Sequence, residues 1–223
     1  TLISQADTQY LQELIIYNKV LAQRNSFLKN EASKNTFDLS LLEILDMQLI
    51  NPAKYIHHVR KEFTQKLFPL IQQFYQHISG NKEIVVPEYN SQLNENKFDE
   101  LLVASRHRDR LNQRTNTGIH KDEIIFSLNE NIFKIIASQG QRKSLLFACK
   151  LAEFEILKDI KGFAPVLLLD DVFEKLDEKR IKNLLEYVCH RNNGQVFITD
   201  THAVRLQEAL SQFGNEVQVL ELE

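Results

Sequence analysis

The chain has 223 residues, 43% hydrophobic and 26% charged, with a formal net charge of −3; this is an ordinary soluble globular composition, enough for one large domain or two small ones. That balance excludes a protein that coats nucleic acid with its whole surface and leaves room only for a local basic stripe. No run approaches a membrane span, the opening TLISQADTQY has no secretory-signal pattern, and Cys149 and Cys189 lack partners at metal spacing, so the expectation is a cytoplasmic protein with buried reduced thiols, no disulfide framework and no zinc site.

The first eighty residues read as helix. Tyr10, Leu14, Tyr17, Leu21 and Leu28 share one stripe at three-, four- and seven-residue intervals, with Leu11 and Ile15 beside it, and Ser4 or Asp7 stands where a cap belongs. After the polar break NEASKNT, the segment DLSLLEILDMQLI predicts a short second helix. Pro52 then stands at the first position of a third, whose apolar face is Ile56, Val59, Phe63, Leu67, Leu70, Ile71, Phe74 and Ile78. Pro69 inside that run predicts a kink or a local loss of hydrogen bonds, and Ser79-Gly80-Asn81 ends it. A helical hairpin or small antiparallel bundle follows, suited to scaffolding or interaction.

From Glu83 the pattern changes. EIVVPEY predicts a strand, with Pro87 marking an edge or a bulge. The helix FDELLVASRHRDRL carries Arg106, Arg108 and Arg110, and Arg114 follows it, against the single acid Asp109. Such a run is either a solvated helix face or a surface for DNA phosphates, and both readings stay open. TNTG breaks the chain, and HKDEIIFSL and NIFKIIA then flank Asn129-Glu130-Asn131 as a β-hairpin, with Ile132 to Ile136 as strand. The remainder alternates: a helix from about Gln141 to Ile160, strand PVLLLD, a helix from about Glu178 to Arg191, strand QVFIT, a helix from about Ala203 to Phe213 and strand EVQVLEL. Helices between short all-apolar strands predict a sheet covered on both faces. The fold class is therefore an α/β part, residues 116–223, after a mainly helical part, residues 1–115.

Three stretches of the α/β part carry chemistry. ASQGQRKS passes from a strand-like run into a helix, and the first turn of a helix offers unpaired N–H groups to an anion. PVLLLDDVFEKLD ends an apolar strand in two carboxylates, Asp170 and Asp171, where ligating groups of open α/β sheets collect; the bland alternative is that these acids only cap the next helix. QVFIT is followed by Asp200-Thr201-His202, which sets a histidine just past a second strand.

In that order, with Leu176-Asp177 between them, these stretches resemble the C-terminal half of an ATP-binding-cassette head: signature motif, Walker B, D-loop and H-loop. ASQGQRKSLLFACKLAEFEIL, PVLLLDDVFEKLDEKR and QVFITDTH are similar to the RecF family of DNA replication, repair and recombination mediator ATPases. YLQELIIYNKVLAQRNSFLK and TGIHKDEIIF are similar to that family's arm helix and its G-P-H-R-D-D-like segment, with Ile119, Lys121 and Glu123 as departures. The resemblance implies a P-loop-type head lobe, incomplete here, beside a helical arm. No G-x-x-x-x-G-K-[ST] occurs, since Gly140-Gln141-Arg142-Lys143-Ser144 lacks the earlier spacing, and the chain opens on the arm helix; a fragment without its Walker A lobe is expected, inactive by itself.

The family's roles carry over by position. Ser138, Gln139, Gly140 and Gln141 would bind the γ-phosphate of an ATP held by a second subunit. Asp170 would orient Mg²⁺ through water, and Asp171 would act as general base. Asp177 would bridge the dimer interface, and His202 would sense the γ-phosphate. Arg106, Arg108, Arg110 and Arg114 are the candidate DNA contacts. The complete protein would be a slow ATPase and an ATP-dependent homodimeric clamp at gaps or junctions in DNA, helping to load recombinase in the SOS response, with RecR and RecO as candidate partners and no membrane. The alternative is a non-enzymatic helical module that binds DNA or a protein without nucleotide.

Overall fold

The computed structural model describes residues 2–31, 37–190, 194–200, 208–211 and 218–220. Packing divides the chain into two compact units, Thr1–Gln65 with Glu88–Ile125, and Lys66–Pro87 with Phe126–Glu223. The chain passes between them more than once, so packing does not follow a single cut between 115 and 116.

The first unit is helical. It contains α1 (Leu2–Ala6), α2 (Thr8–Glu31), the first part of α3 (Leu39–Ser79) and α4 (Phe98–Asn112). Asp7 caps α2, its carboxylate accepting from the Tyr10 N–H at 2.9 Å, and Asp38 caps α3 through the Leu41 N–H at 3.0 Å. The expected break before Pro52 does not occur: α3 is one helix of 41 residues with Pro52 and Pro69 in its interior. An interior proline costs about 3 kcal/mol. Full burial of one large aliphatic side chain returns about 1.5–3 kcal/mol, and Leu42, Leu45, Leu49 and Ile56 form a buried stripe that runs past Pro52. Tertiary packing therefore outweighs the local break.

This stripe packs with Tyr10, Tyr17, Val20, Phe27 and Leu28 of α2 and with Phe98 and Leu102 of α4. At its edge Arg24 is fully buried, its Nε on Asp46 at 2.8 Å and its Nη1 on Asp109 at 2.7 Å and Thr115 at 2.9 Å. The other Asp109 oxygen accepts from the backbone and side-chain N–H groups of Asn116, both at 2.9 Å. Gly118, with φ +120°, ends the TNTG break; a Cβ there would lie 2.7 Å from the Tyr17 hydroxyl and 2.8 Å from the Phe98 ring, so only glycine fits.

The strands of the molecule begin with β1 (Val85–Asn90), β2 (Glu123–Leu128) and β3 (Asn131–Ile132), in the sheet order β1-β2-β3, with Pro87 on an edge strand. Asn129 and Glu130 both have positive φ, +48° and +68°, as a two-residue hairpin turn requires, and Leu128 pairs with Asn131. The strand expected from Ile132 to Ile136 is instead a single residue of β3 followed by the short helix α5 (Phe133–Ile136). A five-residue apolar run does not distinguish strand from buried helix by its period, and here it buries Phe133.

The rest of the second unit alternates as expected through α6 (Gln139–Lys161), β4 (Leu167–Leu169), α7 (Glu178–His190) and β5 (Val196–Ile198). Gly162, with φ +72°, closes α6 through its N–H on the Lys158 carbonyl at 2.9 Å. β4 and β5 are parallel, with Leu167 opposite Val196, Leu168 opposite Phe197 and Leu169 opposite Ile198. Leu167 and Leu169 are buried, but Leu168 is 71% exposed and its neighbour Phe197 49%. The expectation of a sheet covered on both faces is thus met on one face only among the described residues, although parallel strands are normally covered on both.

Of the expected final helix, residues 208–211 are helical and the others lie outside the described residues. Residues 218–220, expected in a strand, are exposed and irregular; no described strand pairs with them, and a strand needs a partner for its backbone groups. Both cysteines are free, but Cys149 is only partly buried and Cys189 is exposed, against the expectation of burial. Burial still pushes the Cys149 thiol up to about 12. No helix among the described residues is long and apolar enough to cross a membrane.

Candidate functional site

Alternation along β4 decides where its acids go. Leu167 and Leu169 face inward and Leu168 outward, so the next residue, Asp170, emerges exposed at the strand's C-terminal end. The Thr199 hydroxyl donates to Asp170, and the Thr199 N–H donates to the Leu169 carbonyl at 2.9 Å. Asp171 then turns the chain with φ +52°, a left-handed conformation that Asp tolerates better than most residues. The turn closes through the Glu174 N–H on the Asp171 carbonyl at 3.1 Å. Buried Val172 and Phe173 anchor it, and the Phe173 N–H donates to Asp200 at 2.8 Å. The two acids therefore stand outside any helix, at the open end of a strand buried on one face.

The signature stretch is built by capping. The Ser138 hydroxyl accepts from the Gln141 N–H at 3.2 Å, while the Ser138 N–H donates to the Gln141 side chain at 2.8 Å, a reciprocal capping box. Ser138 and Gln139 are exposed at the positive end of the 23-residue α6. Gly140 has a packing reason: a Cβ there would lie 2.9 Å from the Lys175 carbonyl, so glycine lets the first turn of α6 abut the turn that follows Asp170 and Asp171.

Asp177 is the acid for which the capping alternative applies. It accepts from the Arg180 N–H at 2.9 Å, starting α7, and pairs with the Arg180 Nε at 3.2 Å. Arg180 continues to the Ser144 hydroxyl at 2.9 Å and to Glu83 at 2.6 Å. Glu83 also accepts from Gln141 at 3.1 Å and from the Tyr75 hydroxyl at 2.6 Å. Burial acts to raise the Glu83 carboxyl, but the hydrogen bonds from Tyr75, Gln141 and Arg180 together outweigh it and hold the group below its usual range. Burial beside Glu83 pushes the Tyr75 phenol up.

Sequence reasoning missed Thr199, Asp200, Glu83, Tyr75 and Arg180. For Thr199 and Asp200 a signal existed, since polar residues at the end of a parallel neighbour must face the loop beside them. For Glu83 and Arg180, 97 residues apart, none did. His202 lies outside the described residues.

The arginines separate by environment. Arg106 is held by Glu43 and Asp46, both at 3.1 Å, and Arg110 lies 4.1 Å over the Phe37 ring. Arg108 and Arg114 are exposed, without an ion-pair partner among the described residues. No cluster of three metal-ligating side chains occurs among the described residues.

No family model matches the chain. It is 43% identical over 207 residues to the DNA replication and repair protein RecF of Flavobacterium johnsoniae, covering 93% of this chain and 58% of that protein. It is 40% identical over 222 residues to that of Parabacteroides distasonis, covering 100% of this chain and 60% of the relative. The structure of the recombination mediator protein RecF-ATP in the RecFOR pathway superposes with a TM-score of 0.76 at 30% identity, over 91% of this chain and 56% of that one. By sequence and by fold the chain belongs to the RecF family, of whose matched members it spans somewhat more than half the length.

Proposed function

We propose that this chain supplies the signature, Walker B and D-loop elements of an ATP-dependent DNA repair protein. The supporting observation is that Asp170 and Asp171 stand exposed and half-exposed at the end of β4, while Ser138 stands exposed at the N-terminus of α6; in this reading the acids and Ser138 of one chain serve different nucleotide sites. In this reading residues 1–115 serve as the arm and residues 116–223 as the head.

A single exposed carboxylate steadied by Thr199 suits Mg²⁺, which keeps most of its water and takes one or two protein carboxylates. Asp170 would hold the ion, which supplies charge neutralisation at the phosphates. Asp171, its backbone fixed by the turn, accepts a proton from the attacking water. Ser138 and the N–H groups of Gln139, Gly140 and Gln141 meet the γ-phosphate of ATP held by a second subunit, and Asp177 meets that subunit's surface. His202 completes the set as γ-phosphate sensor. The short Asp side chain at the base position favours slow turnover, suited to a switch.

The same reading makes the whole protein an ATP-dependent homodimer on DNA that helps load recombinase at single-stranded gaps, with RecR and RecO as candidate partners. Arg108 and Arg114 are the arginines best placed to meet phosphates. Asp171→Asn tests the reading in the full-length protein, because Asn also accepts positive φ and the change removes charge without backbone strain. Hydrolysis is expected to fall about 10²–10⁴-fold with ATP binding retained. Hydrolysis at the unmodified rate contradicts the assignment.

A further inference from the structure

Beyond the motif residues, the second unit contains a half-buried polar cluster that serves neither the core nor a solvent face. Its centre is the pair Glu83 and Arg180, whose side chains are 17% and 13% exposed. Both Glu83 oxygens are used: one accepts from Arg180 and Gln141, the other from Tyr75. Arg180 spends its guanidinium in three directions, on Glu83, on Ser144 and on Asp177. The partners belong to four pieces: the end of α3, the segment before β1, the first turns of α6 and the start of α7.

Apart from the Tyr75 branch, which anchors Glu83 to α3, each branch ends on a residue with a role in the proposed nucleotide face. Gln141 closes the capping box that fixes Ser138. Ser144 donates to the Gly140 carbonyl at 2.8 Å, inside the turn that meets Lys175. Asp177 starts α7. A bond to any one of these would be ordinary surface pairing. A single carboxylate–guanidinium pair that holds all three fixes the signature turn and the D-loop as one body.

We infer that Glu83 and Arg180 are positioning residues that lock the signature turn to the D-loop, so that the surfaces presented to a second subunit and its ATP are set together. This rests on the reading of Ser138 and Asp177 given above. It follows from geometry that lysine cannot replace Arg180, because an ammonium is a compact point charge without the planar fork that reaches three separate acceptors.

The test uses the full-length protein and measures its dimer dissociation constant by sedimentation equilibrium in saturating ATP. Glu83→Gln and Arg180→Gln are each expected to raise that constant about tenfold among the molecules that remain folded, over and above the lower melting temperature that loss of the pair itself brings. The double variant is expected to be no weaker than either single one, and Arg180→Lys as weak as Arg180→Gln. Glu83→Gln is nearly isosteric and keeps the acceptor for Tyr75, so it remains informative if Arg180→Gln folds poorly. A merely structural pair would lower the fraction of protein able to dimerise at an unchanged constant. That result, an unchanged constant in Glu83→Gln, or additive losses of about a hundredfold in the double variant would each overturn the inference. Ser138→Arg is the control: dimers that survive it refute the signature reading, whereas dimers abolished by Ser138→Arg but intact in Glu83→Gln refute only the coupling.

Discussion

The two units spend their charges in opposite ways. In the helical unit Arg24, Asp46 and Asp109 are buried, both acids pair with the Arg24 guanidinium, and Asp46 pairs with Arg106 as well. In the α/β unit Asp170 and Ser138 stand exposed at element ends, each held by a neighbour, Thr199 or Gln141, while Asp200, Glu83 and Arg180 are engaged from behind. Buried charge sealed on all sides specifies packing, since removing one partner strands the others. Charge left open at a strand end, on a loop fixed from beneath, remains available to a ligand.

If that contrast is right, the largest stability loss belongs to the helical unit. Arg24→Ala should destabilise the protein by about 3–5 kcal/mol, because it leaves Asp109 buried without its cation and Asp46 with Arg106 alone; urea denaturation measures it. A loss under about 1 kcal/mol would mean that the network is incidental. Gly140→Ala comes next. Its Cβ must push against the Lys175 carbonyl, which is backbone, so about 1–3 kcal/mol is expected together with weaker ATP-dependent dimers. Asp7→Ala removes a cap and the acceptor of the Tyr55 hydroxyl and should cost about 1–2 kcal/mol without affecting nucleotide.

Acid sharpens the comparison from the other side. The Glu83 carboxyl is held below its ordinary value of 4.5, so it protonates more readily in the unfolded chain than in the folded one. Its stabilisation is complete above about pH 4.5 and is lost as pH falls through the lower folded value. Acid unfolding followed by circular dichroism should therefore show a smaller loss across that window in Glu83→Gln; an identical profile would contradict the pairing. The smallest effect is expected for Arg108→Ala with Arg114→Ala, within about 0.5 kcal/mol of unmodified stability. If these residues meet phosphates, the salt dependence of DNA binding by the full-length protein should flatten by about 0.9 for each phosphate no longer neutralised.

How much of this was legible in the sequence depended on the range of the interactions involved. Local patterns were readable: the α2 stripe, the Asp7 cap, the edge proline Pro87, the Asn129-Glu130 turn and the order of β4, α7 and β5. So was the placement of Asp170 and Asp171, because an apolar run ending in two acids has few ways to bury the one and hydrate the other. Pro52 misled because a local helix breaker was outweighed by a stripe whose partners lie in α2 and α4. IFKII misled because five apolar residues carry no period. Asp109, read as one acid in a basic run, is the buried partner of Arg24, 85 residues away, and the Glu83–Arg180 pair is equally non-local. Arg106 in turn is occupied by Glu43 and Asp46, which the run of cations gave no means to foresee.

The most direct measurement mixes two full-length variants, Ser138→Arg and Asp171→Asn, each expected to hydrolyse ATP poorly when alone. If one subunit's signature turn completes the site that holds the other's carboxylates, a mixed dimer contains one intact site, and equimolar mixing should restore up to about a quarter of unmodified activity. Activity in the mixture no greater than the average of the two separate variants would contradict the assignment of Ser138 and Asp171 to opposite sides of a shared ATP.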